Sequence, residues 1–189
     1  MNPQCKSAVG AYAICSAVAA VARTIRVGGM TKHDLLAQLQ DAKIQLNESA
    51  RVLFTHDKFT TSPAVSHIET VELSVADLGY PEGASIGKIH DRAAECGLSL
   101  CPLELAPHLR LQYIDQEEGC IGHPPSKHRA PPGSLTVASR VLTSDDATPK
   151  GFYLRRIEGV LWLRGYRSGP NHVWSAADRF VFGRPLAAA

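Results

Sequence analysis

The sequence lacks the patterns that mark several large classes of protein. Across its 189 residues there is no internal repeat, no heptad pattern and no glycine-rich phosphate loop. These absences argue against repeat arrays, coiled coils and P-loop nucleotide-binding enzymes. Charge of one sign is not in excess either, since the formal net charge is only +2. The position of the charges therefore tells more than their sum.

Aromatic residues are also scarce, and their distribution is uneven. The chain has only twelve, and seven of them, including Trp162 and Trp174, lie within residues 150–184. The same stretch carries seven basic and two acidic side chains, so it is the basic part of a chain whose remainder is mildly acidic. At 44% hydrophobic and 20% charged residues, the composition is that of a globular protein. We expect one domain over residues 30–184, with a tail at 185–189.

The first 29 residues differ from the rest of the chain. Lys6 precedes an uncharged, alanine-rich run that extends to Ala22. A positive start, a short apolar stretch and small residues at its end are typical of a secretory signal, and the run is too short to span a bilayer comfortably. Met30 stands directly before a well-formed helix start. We therefore favour residues 1–29 as a spurious N-terminal extension, with a signal peptide cleaved after Ala22 as the alternative.

The cysteine count fits a reducing compartment. Cys5 and Cys15 fall in the predicted leader, which leaves Cys96, Cys101 and Cys120 in the domain. Oxidised secreted domains usually carry paired cysteines, and three is an odd number. The predicted location is cytoplasmic with reduced thiols, and export is the alternative. No membrane span is predicted.

Two segments have helical periodicity. Thr31 and Asp34 have the spacing of a capping box, and apolar residues then recur every three or four positions, which predicts a helix over 32–53. Ser85 can cap a second helix that Gly97 ends.

Alternating apolar and polar residues predict strands. Several segments show this alternation, including a hairpin around Glu158-Gly159; they are 71–75, 109–113, 135–141, 153–157, 160–164 and 179–182. The order of elements predicts an α+β fold in which two amphipathic helices pack on a mostly antiparallel sheet.

The basic, aromatic strands are the leading candidate for a binding surface. Arginine and aromatic side chains beside one another on a sheet can hold an anionic ligand or a partner protein; the candidates are Arg155, Arg156, Arg164, Arg167 and Trp162. Nucleic acid is a less favoured partner. The competing structural interpretation is that Trp162, Phe180 and Phe182 fill the core while arginine stems cover its edges. The predicted function is a non-enzymatic binding or regulatory module.

A metal-dependent hydrolase is the alternative function. Cys120, His123 and His128 lie close together in a proline-rich loop and could bind zinc with one position open for water. A nucleophile could come instead from Cys120 with His123, or from Ser139 or Ser144 with a histidine elsewhere in the chain. The binding-module interpretation predicts no cofactor. The hydrolase interpretation predicts zinc.

Three segments resemble a family of small bacterial proteins with no known activity. They are residues 97–113, the run Phe152-Tyr-Leu-Arg-Arg and the run Asp178-Arg-Phe-Val-Phe. The resemblance covers about residues 30–183. It implies a compact bacterial domain, and it transfers no functional residue.

Overall fold

A computed structural model describes residues 21–119, 131–169 and 171–184. Within these ranges the chain forms four helices and nine strands, in the order β1 (Val21–Val27), α1 (Lys32–Asp41), β2 (Gln45–Leu46), α2 (Glu48–Thr55), β3 (Ser66–Ser74), β4 (Ala84–Ser85), α3 (Ile86–Glu95), α4 (Leu105–Gln112), β5 (Leu135–Val137), β6 (Gly151–Ile157), β7 (Val160–Tyr166), β8 (Val173–Trp174) and β9 (Arg179–Gly183). The α+β prediction is confirmed. The sequence predicted two helices, whereas this part of the chain contains four.

Seven of the strands form one sheet in the order β1-β3-β9-β5-β6-β7-β2. The pairs β1–β3, β3–β9, β5–β6 and β6–β7 are antiparallel, whereas β5–β9 and β2–β7 are parallel. The prediction of a mostly antiparallel sheet is therefore wrong, and the sheet is mixed. Both parallel pairs join strands that are distant in sequence, so no tight turn constrains them to run in opposite directions.

The predicted hairpin is confirmed, and its turn explains its register. Seven residue pairs join β6 to β7, from Gly151↔Tyr166 to Ile157↔Val160. Glu158 and Gly159 have φ values of 52° and 74°. Positive φ at both central residues is the geometry of the two-residue turn whose twist matches that of paired strands. The turn therefore fixes which side chains of β6 and β7 share a face.

The predicted helix over 32–53 is two helices. The capping box between Thr31 and Asp34 is present, as predicted. The helix then ends at Asp41, and Lys43 takes a left-handed conformation with φ of 58°. The chain next adds β2 to the edge of the sheet, and the Asn47 side chain accepts a hydrogen bond from the Ala50 amide to begin α2. Pairing of β2 with β7 therefore overrides the helical periodicity.

The predicted strand at 109–113 is wrong, because Leu105–Gln112 is helical. Leu105 and Leu109, one turn apart, are both buried against the sheet. Arg110 is also wholly buried and donates hydrogen bonds to the Gln116 side chain and the Tyr113 carbonyl. A polar residue at a buried helical position made the segment look like an alternating strand.

The sheet is covered on both faces. Helices α1, α2 and α4 pack on the face that presents Ile25, Phe152, Leu154, Leu163 and Val181, and we call it the three-helix face. The opposite face is covered in part by α3 and the small β4–β8 sheet. Their cluster contains Val71, Leu73, Ile89, Trp174, Phe180 and Phe182. Phe180 and Phe182 are thus core residues, as the structural interpretation expected, whereas Trp162 is only partly buried.

Strand β1 lies inside the predicted leader. It pairs with β3 along its whole length, and Ile25 and Val27 are buried in the core. The predicted boundary at residue 29 therefore does not coincide with the first described element of the fold, and a cleavage after Ala22 would fall within β1. None of the helices in the described part of the chain is long and apolar enough to cross a bilayer.

Candidate functional site

The β6–β7 hairpin places four arginine and aromatic side chains on one surface. Tyr153 pairs with Arg164, and Arg155 pairs with Trp162. Paired residues lie on the same face of a sheet, and positions two apart on one strand do as well. We call Tyr153, Arg155, Trp162 and Arg164 the arginine–aromatic face. It lies opposite the three-helix face and to one side of the region that α3 covers.

The groups on this face interact closely. The guanidinium carbon of Arg164 lies 5.1 Å from the centroid of the Trp162 ring, within the range of a cation–π interaction. Burial raises the pKa of the Tyr153 hydroxyl, and the nearby charges of Arg164 and Arg155 lower it in part. Tyr153 pairs with Arg164 across the two strands and stands two positions from Arg155 on β6, so it is a neighbour of both arginines.

No acidic side chain shares the strand positions of this face. The neighbouring strands add Gln45, which pairs with Trp162, and Thr136, which pairs with Tyr153. Among the described residues, Nε of Arg164 is buried and has no hydrogen-bond partner. Arg164 therefore carries positive charge that its strand neighbours on this face do not neutralise.

The other two predicted arginines lie elsewhere. Arg156 is on the three-helix face by the alternation of β6. Its Nε is 3.3 Å from Glu118 Oε2, close enough for an ion pair but not aligned as a hydrogen bond, and its Nη1 donates to the Gln116 carbonyl at 3.3 Å. Arg167 is exposed beyond the end of β7. The structure thus brings together Arg155, Trp162 and Arg164 and separates Arg156 from them.

A cavity of about 300 Å³ adjoins the last residue of β7. Its lining comes from α3, the segments around β5 and β6, and the end of β7; the residues are Ile86, His90, Ser139, Val141, Ser144, Asp146, Lys150, Tyr166, Ser168 and Gly169. Tyr166 lies on the same side of the sheet as Arg164 and Trp162, because it is two positions beyond Arg164 on β7. The cavity, which sequence reasoning did not predict, therefore lies along the strand from the arginine–aromatic face.

Two residues that line this cavity carry buried polar atoms that have no partner among the described residues. Ser139 is 3% exposed, and its Oγ makes no hydrogen bond. Nε2 of His90 is also buried and unpartnered. A Cβ atom on Gly151 would lie 3.2 Å from the Tyr166 hydroxyl and 3.3 Å from Ser139 Oγ, so both oxygens lie over that glycine. Buried polar atoms in proteins normally form a hydrogen bond to another protein group or to an ordered water molecule.

Two titratable side chains that line the cavity are shifted toward their neutral forms. Burial lowers the pKa of His90, which favours the neutral imidazole, and burial raises the pKa of Tyr166, which favours the neutral phenol. Lys150 is already engaged: its Nζ lies 3.4 Å from Asp146 Oδ1 and donates to the Asp145 carbonyl at 2.7 Å. The residues that line the cavity therefore carry no net charge.

Ser139 was a candidate nucleophile, but its surroundings do not activate it here. An activated serine donates to a base that a third group orients. Ser139 and His90 line one cavity, but Ser139 Oγ and His90 Nε2 are buried and make no hydrogen bond to each other. The two side chains therefore do not form a nucleophile–base pair.

A second serine has a motif that sequence reasoning passed over. Residues 83–87 read Gly-Ala-Ser-Ile-Gly, the Gly-x-Ser-x-Gly spacing of a strained nucleophile elbow. Ser85 stands between β4 and α3, but its φ of −71° and ψ of 157° are ordinary extended values. It occupies the N-cap position of α3 in an unstrained conformation.

A larger cleft of about 710 Å³ lies near the start of α4. Glu104 in its wall is 7% exposed, and its carboxylate accepts a hydrogen bond from the Ser62 amide. Burial raises the pKa of Glu104, and burial raises the pKa of Cys101 in the same cleft to about 12. Cys96 and Cys101 are both free thiols. A thiol held protonated is a poor nucleophile and a poor metal ligand.

The predicted metal ligands Cys120, His123 and His128 lie outside the described residues. Within residues 21–119, 131–169 and 171–184, no group of three or more His, Cys, Asp or Glu side chains is arranged to hold a metal ion.

Comparisons with protein-family models, with curated proteins and with solved structures found no match to this chain. The resemblance to small bacterial proteins therefore stays a prediction.

Proposed function

We propose that the protein is a non-enzymatic binding or regulatory module that holds an anionic ligand on the arginine–aromatic face. The observation that carries the proposal is the stack of Arg164 on Trp162 beside Tyr153 and Arg155, on a strand surface without acidic residues. Arginine forms paired hydrogen bonds to phosphate and carboxylate groups, and stacking on an aromatic ring orients its plane.

The geometry favours an anion over a neutral partner. An apolar partner would have to bury the Arg164 guanidinium without a counter-charge, which is costly. An anion supplies that charge, and Tyr153 and Trp162 can add hydrogen-bonding hydroxyl and indole N–H groups at the edge of the site. Charge complementarity therefore selects the ligand class.

The proposal is tested by binding of inorganic polyphosphate across a salt series. Replacing both arginines (Arg155→Gln with Arg164→Gln) should weaken binding by about tenfold or more. It should also reduce the slope of log affinity against log salt by about one to two, since each phosphate contact releases counterions. An affinity for polyphosphate that does not change with salt concentration, or no binding at all, would refute the proposal.

Two single variants serve as matched controls. Arg156→Gln removes the same charge from the next residue of β6, on the other face of the sheet. Arg51→Gln removes it from an exposed position on α2, which packs on the three-helix face. Both should bind polyphosphate nearly as the unmodified protein does, with folding checked by circular dichroism. A loss equal to that of Arg164→Gln would show that net charge, and not this face, controls binding.

A further inference from the structure

We propose that the larger cleft, near the start of α4, binds a small amphiphilic carboxylate, a fatty acid of medium chain length. The hydrocarbon chain lies on the apolar part of the cleft, and the carboxylate pairs with Arg140 at its edge. This cleft is separate from the arginine–aromatic face, so the inference does not rest on the proposed function. It assigns a second class of ligand to a second surface.

Three segments of the chain form the cleft. We call them the floor, the first wall and the second wall; they are residues 100–104, 58–62 and 140–142. The Cys101 amide of the floor donates to the Ala138 carbonyl at 2.7 Å, just before the second wall. At the end of the floor, the Glu104 carboxylate accepts from the Ser62 amide of the first wall at 3.0 Å. The floor therefore contacts both walls.

Most of the floor is apolar. Its first four residues are Leu100, Cys101, Pro102 and Leu103. The second wall adds the aliphatic side chains of Val141 and Leu142, and Val141 is 51% exposed. Apolar surface that faces water in a concave site favours a ligand with an apolar body, because binding removes that surface from water.

The charges that a ligand can reach in the cleft are positive. Lys58 on the first wall and Arg140 on the second wall are both exposed. Neither side chain forms an ion pair with any residue that the structure describes. Of the described residues that line the cleft, only Glu104 is acidic, and it is 7% exposed with its carboxylate bonded to the Ser62 amide. The accessible charges therefore favour an anion.

An amphiphilic carboxylate uses both properties of the cleft. An inorganic anion would leave the floor uncovered, and a neutral apolar ligand would leave both cations without a counter-charge. A carboxylate can accept two parallel hydrogen bonds from the Arg140 guanidinium while its chain covers the floor. The volume of about 710 Å³ lies in the range of small-molecule sites, which combine apolar lining with a few polar groups.

The test compares ligands by isothermal titration calorimetry with the full chain. Hexanoate, octanoate and decanoate, each below its micelle concentration, should bind with an affinity that rises by about three- to fourfold for each methylene group that the floor covers. Acetate, which carries the charge without the chain, should show no measurable binding. Decyltrimethylammonium, which carries the chain with the opposite charge, should bind at least about tenfold more weakly than decanoate.

Variants assign the binding to this cleft. Arg140→Gln should weaken decanoate binding by about five- to tenfold. Val141→Asp places a carboxylate on the same wall and should weaken it by about tenfold or more. Both positions are exposed, so both variants should fold, which circular dichroism checks. Ile114→Asp, at a 64% exposed position outside the cleft, and Arg51→Gln on α2 make the same charge changes elsewhere and should bind decanoate normally.

The outcomes separate this site from the arginine–aromatic face. No binding of decanoate, equal binding of decanoate and decyltrimethylammonium, or normal binding by both Arg140→Gln and Val141→Asp would overturn the fatty-acid site. None of these results bears on polyphosphate. The variant with Arg155→Gln and Arg164→Gln should bind decanoate as the unmodified protein does while it loses affinity for polyphosphate, and a loss of decanoate binding there would place the carboxylate on the wrong surface.

Discussion

The side-chain amide of Asn47 pairs with both backbone groups of Gly165. Its Nδ2 donates to the Gly165 carbonyl at 2.9 Å, and its Oδ1 accepts from the Gly165 amide at 2.8 Å. The same Oδ1 accepts from the Ala50 amide at 2.9 Å and so begins α2. One side chain thus extends the β2–β7 pairing and anchors a helix to the strand that carries Trp162 and Arg164.

Asn47→Ala should destabilise the protein by about 2–4 kcal/mol, because it removes a helix cap and leaves both Gly165 groups unpaired. Urea unfolding followed by circular dichroism measures the change. Asn47→Asp keeps the acceptor and loses only the donor, so its loss should be smaller. An alanine variant as stable as the unmodified protein would show that these hydrogen bonds contribute nothing.

Gly165→Ala should also destabilise the folded protein, by at least about 1–3 kcal/mol. A Cβ atom there would lie 2.5 Å from the Ser49 carbonyl carbon and 2.7 Å from the Ala50 amide nitrogen, and backbone cannot yield as a side chain can. Gly87→Ala is the control: it lies in α3 with nothing within 4 Å of the added methyl group. It should gain up to about 1 kcal/mol from helix propensity. If both variants unfold at the same urea concentration, the close approach of α2 to β7 is contradicted.

His108 should make stability depend on pH. It is 1% exposed, and its Nε2 accepts from the Gly28 amide at 3.1 Å. Burial, with the charge of Arg26, lowers the pKa of His108 below its usual value near 6.5. Below that value the unfolded chain binds a proton that the folded chain does not, so the free energy of unfolding falls as pH drops from about 7.5 to 5.5.

His108→Gln isolates this contribution. The glutamine oxygen can accept from Gly28 but does not titrate, so the variant should lose less stability between the two pH values than the unmodified protein. His90, whose pKa is also lowered by burial, contributes in the same direction and remains in the variant. Equal pH dependence in both proteins would contradict the assignment.

Cys101 should resist alkylation while the protein is folded. Its pKa is raised to about 12 by burial, and only the thiolate reacts rapidly. Iodoacetamide at pH 8, followed by peptide mass spectrometry, should leave Cys101 unmodified without denaturant and modify it in urea. Rapid labelling in the native protein would mean that the thiol is accessible.

The features that the sequence predicted correctly are local ones. The capping box needs only Thr31 and Asp34, and the hairpin needs only its turn and flanking strands. The errors arose where distant residues decide the structure. Pairing of β2 with β7 breaks the predicted first helix.

Two parts of the candidate site illustrate the same limit. Arg155 and Arg156 were both candidates for one binding surface, whereas the alternation of β6 in the structure places them on opposite faces of the sheet. The cavity could not be predicted, because His90, Ser139 and Tyr166 come from separate parts of the chain that only the sheet topology brings together.

The two tryptophans provide the most direct test of the anion-binding face. Trp162 lies beneath Arg164 on that face, and Trp174 is 4% exposed in the core, so its indole N–H signal serves as an internal reference. In a proton–nitrogen NMR spectrum, inorganic polyphosphate should shift the Trp162 indole signal and leave that of Trp174 in place, and added salt should reverse the shift. A Trp162 signal that does not move at any polyphosphate concentration would contradict the account.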